Sequence, residues 1–231
     1  MTGTGRIALD PRLSMIARLV GPCERYADIG CDHGRLGAFM LQRGLCERAV
    51  LTDISEPSLA KARALMDRLG LTDRVTFAVG NGALALDGPV DAAVIAGMGG
   101  ATIARIVREG REKLADARLI LQPNVAAPQL REALSDCGYA IFDERVAQDG
   151  RRNYVILCAR PGPSAYDERE RIVGPVLLRE RPDELAPYAS FRLRVAKKAL
   201  AGAAASGDRS QIEPLEREIA IWEEVLACPR R

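Results

Sequence analysis

The stretch Tyr26-Ala27-Asp28-Ile29-Gly30-Cys31-Asp32-His33-Gly34 is an apolar segment that runs into an acidic turn bracketed by two glycines. A strand that ends in Asp-x-Gly and continues through a second glycine into a helical segment is how a Rossmann-type sheet receives a nucleotide-like ligand. The glycine spacing here is Gly-x-x-x-Gly, whereas dinucleotide-binding folds use Gly-x-Gly-x-x-Gly. The turn therefore predicts a site for S-adenosylmethionine rather than for NAD.

Short apolar runs alternate with helical patterns from this turn to about Arg160. Strands are predicted at 26–29, 49–52, 75–79, 92–96, 119–121, 139–145 and 154–158. Helices are predicted at 35–43, 58–69, 101–114 and 127–137, preceded by a helix that starts at Asp10-Pro11. This alternation predicts a parallel sheet covered on both faces, and the last two strands, joined by a polar loop at 147–153, predict an antiparallel hairpin at its edge. The predicted fold class is α/β, a class I (Rossmann-like) methyltransferase fold with a seven-stranded sheet.

A second unit is predicted after Arg160-Pro161-Gly162-Pro163-Ser164, because neither a helix nor a strand passes easily through Pro-Gly-Pro. We therefore divide the chain into residues 1–160 and 161–231. Two apolar stripes at three- and four-residue spacing predict two long helices that close as a coiled-coil hairpin, with a turn at 203–208. The stripes are Leu185, Tyr188, Phe191, Val195, Ala199 and Gly202, and then Ile212, Leu215, Ile219, Trp222 and Leu226. The second helix begins at either Ser210 or Pro214.

The composition sets limits on the class of protein. With 231 residues, of which 48% are apolar, the chain can bury the core of one domain with an appendage. A net charge of +2 does not by itself indicate nucleic-acid binding, which leaves only a local basic patch for that role. The six cysteines form no Cys-x-x-Cys pair and are expected to be free thiols, with no metal bound. Since no apolar run approaches the length of a membrane span, we expect a cytoplasmic protein without a membrane partner; the oligomeric state stays open.

Candidate cofactor residues follow the predicted strands at their carboxyl ends, which meet at one edge of a parallel sheet. Asp28 can answer the positive charge of the S-adenosylmethionine amino group or sulfonium. Asp53 can accept hydrogen bonds from ribose hydroxyls, or alternatively caps the next helix. Asn81 lies where such folds meet the adenine ring, although Asn-Gly is also an ordinary turn. The full candidate set is Asp28, Gly30, Cys31, Gly34, Asp53, Ile54, Asn81, Gly82, Gly97 and Met98.

Candidates for chemistry lie beside this set. Asp32 and His33, the only histidine of the chain, are two titratable groups within one glycine turn. The glycines of Ile95–Gly100 form a floor that a flat molecule can approach, which makes Gly99 and Gly100 candidate substrate-binding residues. Gln122 and Asn124 place two amides beside the pocket, although a short polar loop needs no function.

The motifs together resemble one family. Asp-Ile-Gly-x-Asp-His-Gly at 28–34, Ile-Ala-Gly-Met-Gly-Gly at 95–100 and Leu-Ile-Leu-Gln-Pro-Asn at 119–124 closely resemble the bacterial tRNA adenine-N1 methyltransferases that modify position 22. The resemblance spans about residues 8 to 227 and includes Arg12-Leu13, Asp149-Gly150 and Val173-Gly174-Pro175. It implies S-adenosylmethionine as the methyl donor, tRNA as the partner, and a C-terminal coiled-coil domain that helps to hold the tRNA.

Methylation at adenine N1, which the resemblance implies, leads us to roles for single residues. Asp32 is the candidate carboxylate that faces the developing positive charge. His33 either orients Asp32 or the base edge or accepts the N6 proton afterwards, and the Gly97–Gly100 floor and Asn124 position the target ring. Arg12 joins the candidate substrate-binding residues. A local basic patch on a predicted helix is expected to contact tRNA and to give a modest salt dependence, although such a run is also typical of a solvated helix face; the patch is Arg192, Arg194, Lys197 and Lys198.

The sequence departs from the family pattern at two places, and it leaves two other functions open. The family usually has aspartate where this chain has Asn81, and a Gly-Pro pair where it has Pro57-Ser58. One rival is a methyltransferase with another acceptor, a small molecule or another nucleic-acid adenine. The N6-adenine enzymes carry an Asn/Asp-Pro-Pro-Tyr string after the fourth strand, and this chain has Ala-Gly-Met-Gly there. The other rival is a non-catalytic RNA-binding protein on the same fold.

Overall fold

The predicted alternation of strands and helices is present in the computed structural model, which describes residues 5–150 and 152–228. The sheet contains seven strands: β1 Cys23–Ile29, β2 Cys46–Asp53, β3 Val75–Val79, β4 Ala92–Met98, β5 Arg118–Pro123, β6 Tyr139–Asp149 and β7 Arg152–Pro161. The helices that accompany the sheet are α1 Pro11–Val20, α2 Arg35–Gln42, α3 Glu56–Arg68, α4 Gly100–Glu109, α5 Arg111–Leu114 and α6 Ala127–Asp136. Short 3₁₀ turns at Thr72–Arg74 and Gly82–Ala85 flank β3.

The strand order is β3-β2-β1-β4-β5-β7-β6. The first five strands are parallel, while β7 runs antiparallel to both β5 and β6. The order reverses between β1 and β4, and in open parallel sheets ligands bind at that switch point, outside the carboxyl ends of the strands. The seven-stranded Rossmann-like architecture and its terminal hairpin are therefore confirmed.

The late hairpin differs from its prediction. β6 continues to Asp149 and β7 begins at Arg152, so most of the loop predicted at 147–153 is paired strand; Arg151 lies outside the described residues. At its other end β7 continues through Arg160 and Pro161, where a linker was expected. Pro161 is tolerated because β5 pairs with β7 only as far as Ala159, and the missing N–H of a proline costs little where there is no second partner strand.

One predicted helix is interrupted. The pattern at 101–114 indicated a continuous helix, but α4 ends at Glu109 and α5 restarts at Arg111. Gly110 lies between them, and its N–H still bonds the Ile106 carbonyl at 2.9 Å. Close packing requires glycine at this position, since a Cβ on Gly110 would overlap the Ala83 side chain.

The C-terminal part is helical and ends in a hairpin of two long helices. The elements are α7 Glu168–Val173, α8 Pro175–Glu180, α9 Leu185–Ser206 and α10 Arg209–Ala227. The predicted turn at 203–208 is shorter than expected, because α9 continues to Ser206. α10 begins before both predicted starts, since the Asp208 side chain accepts a hydrogen bond from the Ser210 N–H at 3.2 Å and caps the helix.

The two apolar stripes are only partly correct. Leu185, Tyr188 and Trp222 are buried, and the rings of Tyr188 and Trp222 meet edge to face at 5.7 Å. However, Val195 and Leu226 are exposed, and the buried positions near them are Ala196 and Val225. The reason is that α9 packs on α10 through alanines and a half-buried arginine, Arg192, which a pattern of large apolar residues does not register. The hairpin is present, and a true coiled coil stays a prediction.

The proposed boundary at residue 160 does not separate two cores. One apolar cluster runs from the sheet through Val173, Val176 and Leu177 to Trp222. The division into 1–160 and 161–231 stays a prediction, and residues 1–4 and 229–231 of those units lie outside the described ranges. Across residues 5–150 and 152–228, no helix is both long and apolar enough to cross a lipid bilayer.

Candidate active site

A cavity of about 510 Å³ opens at the carboxyl ends of β1, β2 and β4, where the strand order reverses. Its lining brings together residues that are far apart in sequence, among them Asp28, Asp32, Asp53, Asn81 and Gly97. Nine of the ten predicted cofactor residues line it: Asp28, Gly30, Cys31, Asp53, Ile54, Asn81, Gly82, Gly97 and Met98. Gly34 is instead buried beneath the turn at φ +67°, where a Cβ would lie 2.9 Å from the Ala62 Cβ.

Asp28 is the buried acid of this cavity, with 6% of its surface exposed. Burial raises the pKa of its carboxyl to about 7, although the neighbouring Tyr26 hydroxyl and the Arg12 guanidinium both lower it. A carboxyl this far from water is stabilised in its charged form by a cation. Thr52 Oγ1, on the same wall, is buried without a hydrogen-bond partner in the described chain, so a polar ligand can supply the missing hydrogen bond.

Asp53 lies at the end of β2 and joins two turns. Its carboxylate accepts the Asp32 N–H at 3.1 Å and the Ser55 N–H at 2.9 Å. It does not cap α3, because the N-cap is Ser55, whose hydroxyl accepts the Ser58 N–H at 3.3 Å. The capping alternative for Asp53 is therefore wrong, and its carboxylate is held rigidly at the cavity.

Another part of the cavity wall is formed by an apolar residue and an oriented amide. Ile54 is 77% exposed at the cavity wall, a large apolar side chain without an internal packing reason. Asn81 donates from Nδ2 to Glu109 at 3.3 Å, and Glu109 pairs with Arg105 at 3.1 Å. This arrangement leaves the Asn81 side-chain oxygen free to accept from an exocyclic amine.

Asp32 and His33 lie at the mouth of the cavity. Asp32 Oδ2 is 2.5 Å from His33 Nδ1, and the two side chains are 69% and 47% exposed. Asp32 has φ +49°, a left-handed conformation that aspartate and asparagine tolerate better than most residues. The turn thus presents a carboxylate outward, with the imidazole holding its orientation.

A polar network ties the ends of β4 and β5 to α1. Gln122 Oε1 accepts from Arg12 at 2.7 Å and from the Gly97 N–H at 3.2 Å, while its Nε2 donates to Asn124 Oδ1 at 3.1 Å. Asn124 in turn donates to the Gly97 carbonyl at 2.7 Å. Because the two amides bond each other, the network holds the Gly97 backbone at the end of β4 and the Arg12 guanidinium in place.

Two of the predicted substrate-binding residues, Gln122 and Gly100, are buried in the structure. Gln122 is fully buried, and its amide is used by the network, where it bonds Arg12 and Asn124. Gly100 is also buried, since a Cβ there would overlap the Ala126 carbonyl; its role is close packing of α4. Gly99 is partly exposed but is not part of either cavity wall.

A second cavity, of about 620 Å³, adjoins the first and shares Arg12 and Gly97 with it. Its walls come from the end of β5, the start of β7 and the inner face of α9, which contributes Phe191 and Val195. The Arg12 guanidinium lies 5.5 Å from the centre of the Tyr154 ring in this cavity. Sequence reasoning missed Tyr154, because it was counted only as the start of a strand, and assigned Phe191 to hairpin packing.

The predicted basic patch is smaller in the structure than in the sequence. Arg192 points towards α10, where it pairs with Glu218 at 2.7 Å and is only 19% exposed. Lys197 pairs with Glu223 at 2.7 Å, while Arg194 and Lys198 are exposed. Arg192 is therefore removed from the solvent-facing patch, which consists of Arg194, Lys197 and Lys198.

The six cysteines, all within the described ranges, are free thiols. Burial raises the pKa of the Cys31 thiol at the cofactor cavity, which disfavours a reactive thiolate there. The part of the chain that the structure describes contains no group of three or more His, Cys, Asp or Glu side chains arranged to hold a metal ion.

Comparison with known proteins shows that this chain is similar to methyltransferases. Residues 9–157 match a family model described as a methyltransferase domain. The tRNA (adenine(22)-N(1))-methyltransferase of Bacillus subtilis strain 168 is 33% identical over 183 residues, which cover 76% of this chain and 77% of that protein.

Solved structures show the same likeness over nearly the whole chain. The B. subtilis m1A22 tRNA methyltransferase TrmK superposes with a TM-score of 0.85 at 27% identity, covering 95% of this chain and 99% of the other. Streptococcus pneumoniae Sp1610 in complex with S-adenosyl-L-methionine also has a TM-score of 0.85, at 29% identity, covering 95% of this chain and 100% of the other. Both alignments include the C-terminal helices as well as the sheet.

Proposed function

Since the chain belongs to the tRNA (adenine(22)-N1)-methyltransferase family, we propose that it transfers the methyl group of S-adenosylmethionine to N1 of adenine 22 in tRNA. The observation that carries this proposal is the pair of adjoining cavities. The first is lined by three carboxylates and three arginines, which suit a methyl donor that carries a cationic sulfur, an amino group and a carboxylate, and the second by aromatic, amide and arginine side chains, which suit a nucleotide.

The first cavity fits S-adenosylmethionine group by group. Asp28 is the carboxylate for the amino group or the sulfonium, and the Asp53 carboxylate is held where it can accept from ribose hydroxyls. The Asn81 oxygen reads the adenine amine, and Ile54 packs on the ring. When bound, S-adenosylmethionine supplies an electrophilic methyl group on a positively charged sulfur.

The chemistry requires alignment more than acid–base catalysis. Adenine N1 carries an in-plane lone pair, so the base needs no deprotonation before it attacks. The protein must hold an unpaired base with N1 in line with the methyl group, and must tolerate the cation that forms on the ring. Asp32, exposed at the mouth of the first cavity, is the carboxylate that faces this charge, and His33 fixes its orientation.

The tRNA body is held by the C-terminal helices in this proposal. Arg194, Lys197 and Lys198 form a small cationic surface on α9, which is the same helix that supplies Phe191 to the second cavity. Because so few cations are involved, the affinity for tRNA is expected to fall only modestly as salt rises. The cytoplasm, where tRNA is modified, is the proposed location.

The test of the function is methylation of an unmodified tRNA transcript by the purified protein with labelled S-adenosylmethionine, followed by mass-spectrometric mapping. We expect 1-methyladenosine at position 22, and no transfer to a matched transcript with guanosine at that position. Methylation at another position, or no transfer by a preparation that binds S-adenosylmethionine, would overturn the proposed acceptor while leaving the fold and the donor in place.

The raised pKa of Asp28 predicts that cofactor binding depends on pH. The cofactor needs the charged carboxylate, so its affinity should rise as pH increases from about 5.5 to 7, by about tenfold per pH unit at most. Titration calorimetry with S-adenosylmethionine at several pH values measures this slope. In Asp28→Asn the slope should vanish and the affinity should be low throughout.

The stability of the cofactor-free protein as a function of pH is a control for this prediction. The folded state favours protonated Asp28, because its pKa of about 7 lies above the ordinary value of 3.8. The unfolded chain ionises first, so this group makes the cofactor-free protein less stable as pH rises from about 4 to about 7. Asp28→Asn should therefore melt at a higher temperature than wild type above pH 7, and a lower melting temperature there would contradict the assignment.

A further inference from the structure

The side chain of Asn81 is held by the end of helix α4 and not by its own turn. Asn81 precedes the 3₁₀ turn Gly82–Ala85, and within the described chain its side chain makes no capping hydrogen bond to that turn. It donates instead from Nδ2 to Glu109 at 3.3 Å, and Glu109 also accepts from Arg105 at 3.1 Å. The described residues that line the first cavity include Asn81 and Arg105 but not Glu109, so Glu109 acts from behind the cavity wall.

Close packing brings the turn after β3 against the last turns of α4. Gly82 has φ +59°, and a Cβ there would lie 2.9 Å from Ile106 Cγ1. One helical turn further along α4, a Cβ on Gly110 would overlap the Ala83 side chain. Glu109 lies between these two contacts, so the distance from its carboxylate to the turn is set by backbone packing.

The stability of α4 does not account for a glutamate at this position. Glu109 is the last residue of the helix, where the helix dipole disfavours a negative charge. Its i,i+4 pair with Arg105 has the cation N-terminal to the anion, which is the less favourable order on a helix. Both side chains are exposed, so the pair itself adds little stability. The carboxylate therefore calls for an explanation outside α4.

The order of the strands indicates which end of a bound donor meets Asn81. Asp28, Asp53 and Asn81 lie at or just after the ends of β1, β2 and β3, which are neighbours in the sheet in that order. Adjacent strands lie about 4.8 Å apart, so Asn81 is two strand spacings from Asp28, with Asp53 between them. In the proposed function Asp28 meets the methionine end of the donor and Asp53 the ribose, so the adenine extends towards Asn81.

We propose that Glu109 is a positioning residue of the donor site, which holds the Asn81 amide with its oxygen towards the ligand and thereby selects a 6-amino purine over a 6-oxo purine. The inference rests on the donor site of the proposed function and deepens it. A carboxylate only accepts hydrogen bonds, so the NH₂ group of Asn81 faces Glu109 and the amide oxygen faces the other way. That oxygen accepts from the N6 amine of adenine and opposes the O6 carbonyl of hypoxanthine.

An Asn81 amide without this partner can bind either purine. If its neighbour both donates and accepts, the amide turns over at little cost, and its NH₂ group then donates to a 6-oxo purine. A site that hydrogen-bonds its ligand rejects an analogue chiefly because the analogue leaves polar groups unpaired. The direction of the hydrogen bond between Asn81 and Glu109 therefore determines which purine the cavity selects.

The experiment measures binding of S-adenosylhomocysteine and of S-inosylhomocysteine by titration calorimetry, with the melting temperature as a check on folding. Wild type should bind the adenosyl ligand at least about tenfold more tightly than the inosyl ligand. In Glu109→Gln, which conserves the shape of the side chain, this preference should fall to about threefold or less, because glutamine pairs with either orientation of the Asn81 amide.

The second step reverses the hydrogen bond. Asn81→Asp alone places a carboxylate next to Glu109, and the repulsion should lower the affinity for S-adenosylhomocysteine by about tenfold. The double variant Asn81→Asp/Glu109→Gln should recover the affinity and the preference to within about threefold of wild type, because the glutamine donates to the aspartate, whose other oxygen faces the ligand. The same substitution at residue 81 is thus harmful beside glutamate and beneficial beside glutamine.

The matched control is Glu112→Gln, which removes an exposed carboxylate from the neighbouring helix α5 and should leave the preference unchanged. Equal binding of the two ligands by wild type, a full preference in Glu109→Gln, or an effect of Asn81→Asp that is the same in both backgrounds would each overturn the inference. Because no tRNA is present, failure of the wild type to methylate position 22 is a separate result, which overturns the proposed acceptor alone.

Discussion

Replacement of Asp32 by asparagine is expected to lower the rate constant of methyl transfer by about hundredfold, with little change in the affinity for S-adenosylmethionine. Removal of a single preorganised electrostatic contact to a developing charge typically costs about 10²- to 10³-fold in rate. Asparagine is the appropriate replacement, since the backbone at residue 32 has φ +49° and alanine there would add strain. Rapid-quench kinetics at saturating tRNA measure the rate, and calorimetry measures the affinity.

One further variant separates charge from orientation at this turn, and another is a control on α3. His33→Asn removes the imidazole that lies 2.5 Å from Asp32 but keeps the carboxylate, so it should slow the reaction less than Asp32→Asn. Asp67→Asn removes an exposed carboxylate from α3 and should have no effect on the rate. A loss of S-adenosylmethionine binding in Asp32→Asn that accounts for the whole loss of rate would assign Asp32 to the cofactor instead.

The fold could be predicted from sequence because its signals are local. The Asp28–Gly34 turn, the alternation of apolar runs with helical patterns, and the glycines after β4 each mark the carboxyl end of a strand, and a parallel sheet brings those ends together. Nine of the ten predicted cofactor residues therefore line one cavity, although they span β1 to β4. The start of α10 was harder to predict from the sequence. Asp208 caps the helix through its side chain, but Ser210 and Pro214 are equally typical of a helix start.

The second cavity could not be predicted, for a physical reason. Its walls come from β5, β7 and α9, and only tertiary packing decides which face of α9 turns towards β7. Phe191 and Val195 fit the spacing of a helical seam, yet Val195 is exposed beside the cavity while the seam itself uses Ala196 and the Arg192–Glu218 pair. A residue that leaves a packing seam to line a cavity has the same sequence pattern as one that stays within it.

A buried ion pair between α6 and β6 holds the two short helices, α7 and α8, that precede α9. Arg131 and Glu144 are both fully buried and pair at 2.8 Å. The Arg131 guanidinium also donates to the carbonyls of Arg171, Ile172 and Val173, which end α7. Glu144 accepts the N–H groups of Val176 and Leu177, which begin α8. Each charge therefore sits at the helix end whose dipole it complements.

Gly174 allows this arrangement. It lies between the two short helices at φ +123°, and a Cβ there would overlap the Glu144 carboxylate. The ion pair thus fixes where the chain leaves the sheet and turns towards α9. A loss of either charge leaves the other buried without its partner, together with several unpaired backbone groups.

Arg131→Met is accordingly expected to lower the free energy of unfolding by about 3–5 kcal/mol, measured by urea denaturation, because it leaves Glu144 charged in an apolar interior. The double variant Arg131→Met/Glu144→Leu should lose less than the sum of the two single variants, since neither charge then remains unpaired. Arg217→Met is the matched control, because Arg217 pairs at the surface with Glu213 and Glu168, all three side chains being at least 45% exposed, and it should cost less than about 1 kcal/mol. If Arg131→Met cost no more than Arg217→Met, the pair would not be what holds α7 and α8 against the sheet, and the placement of Phe191 over the second cavity would have to come from the apolar contacts of Tyr188 and Trp222 alone.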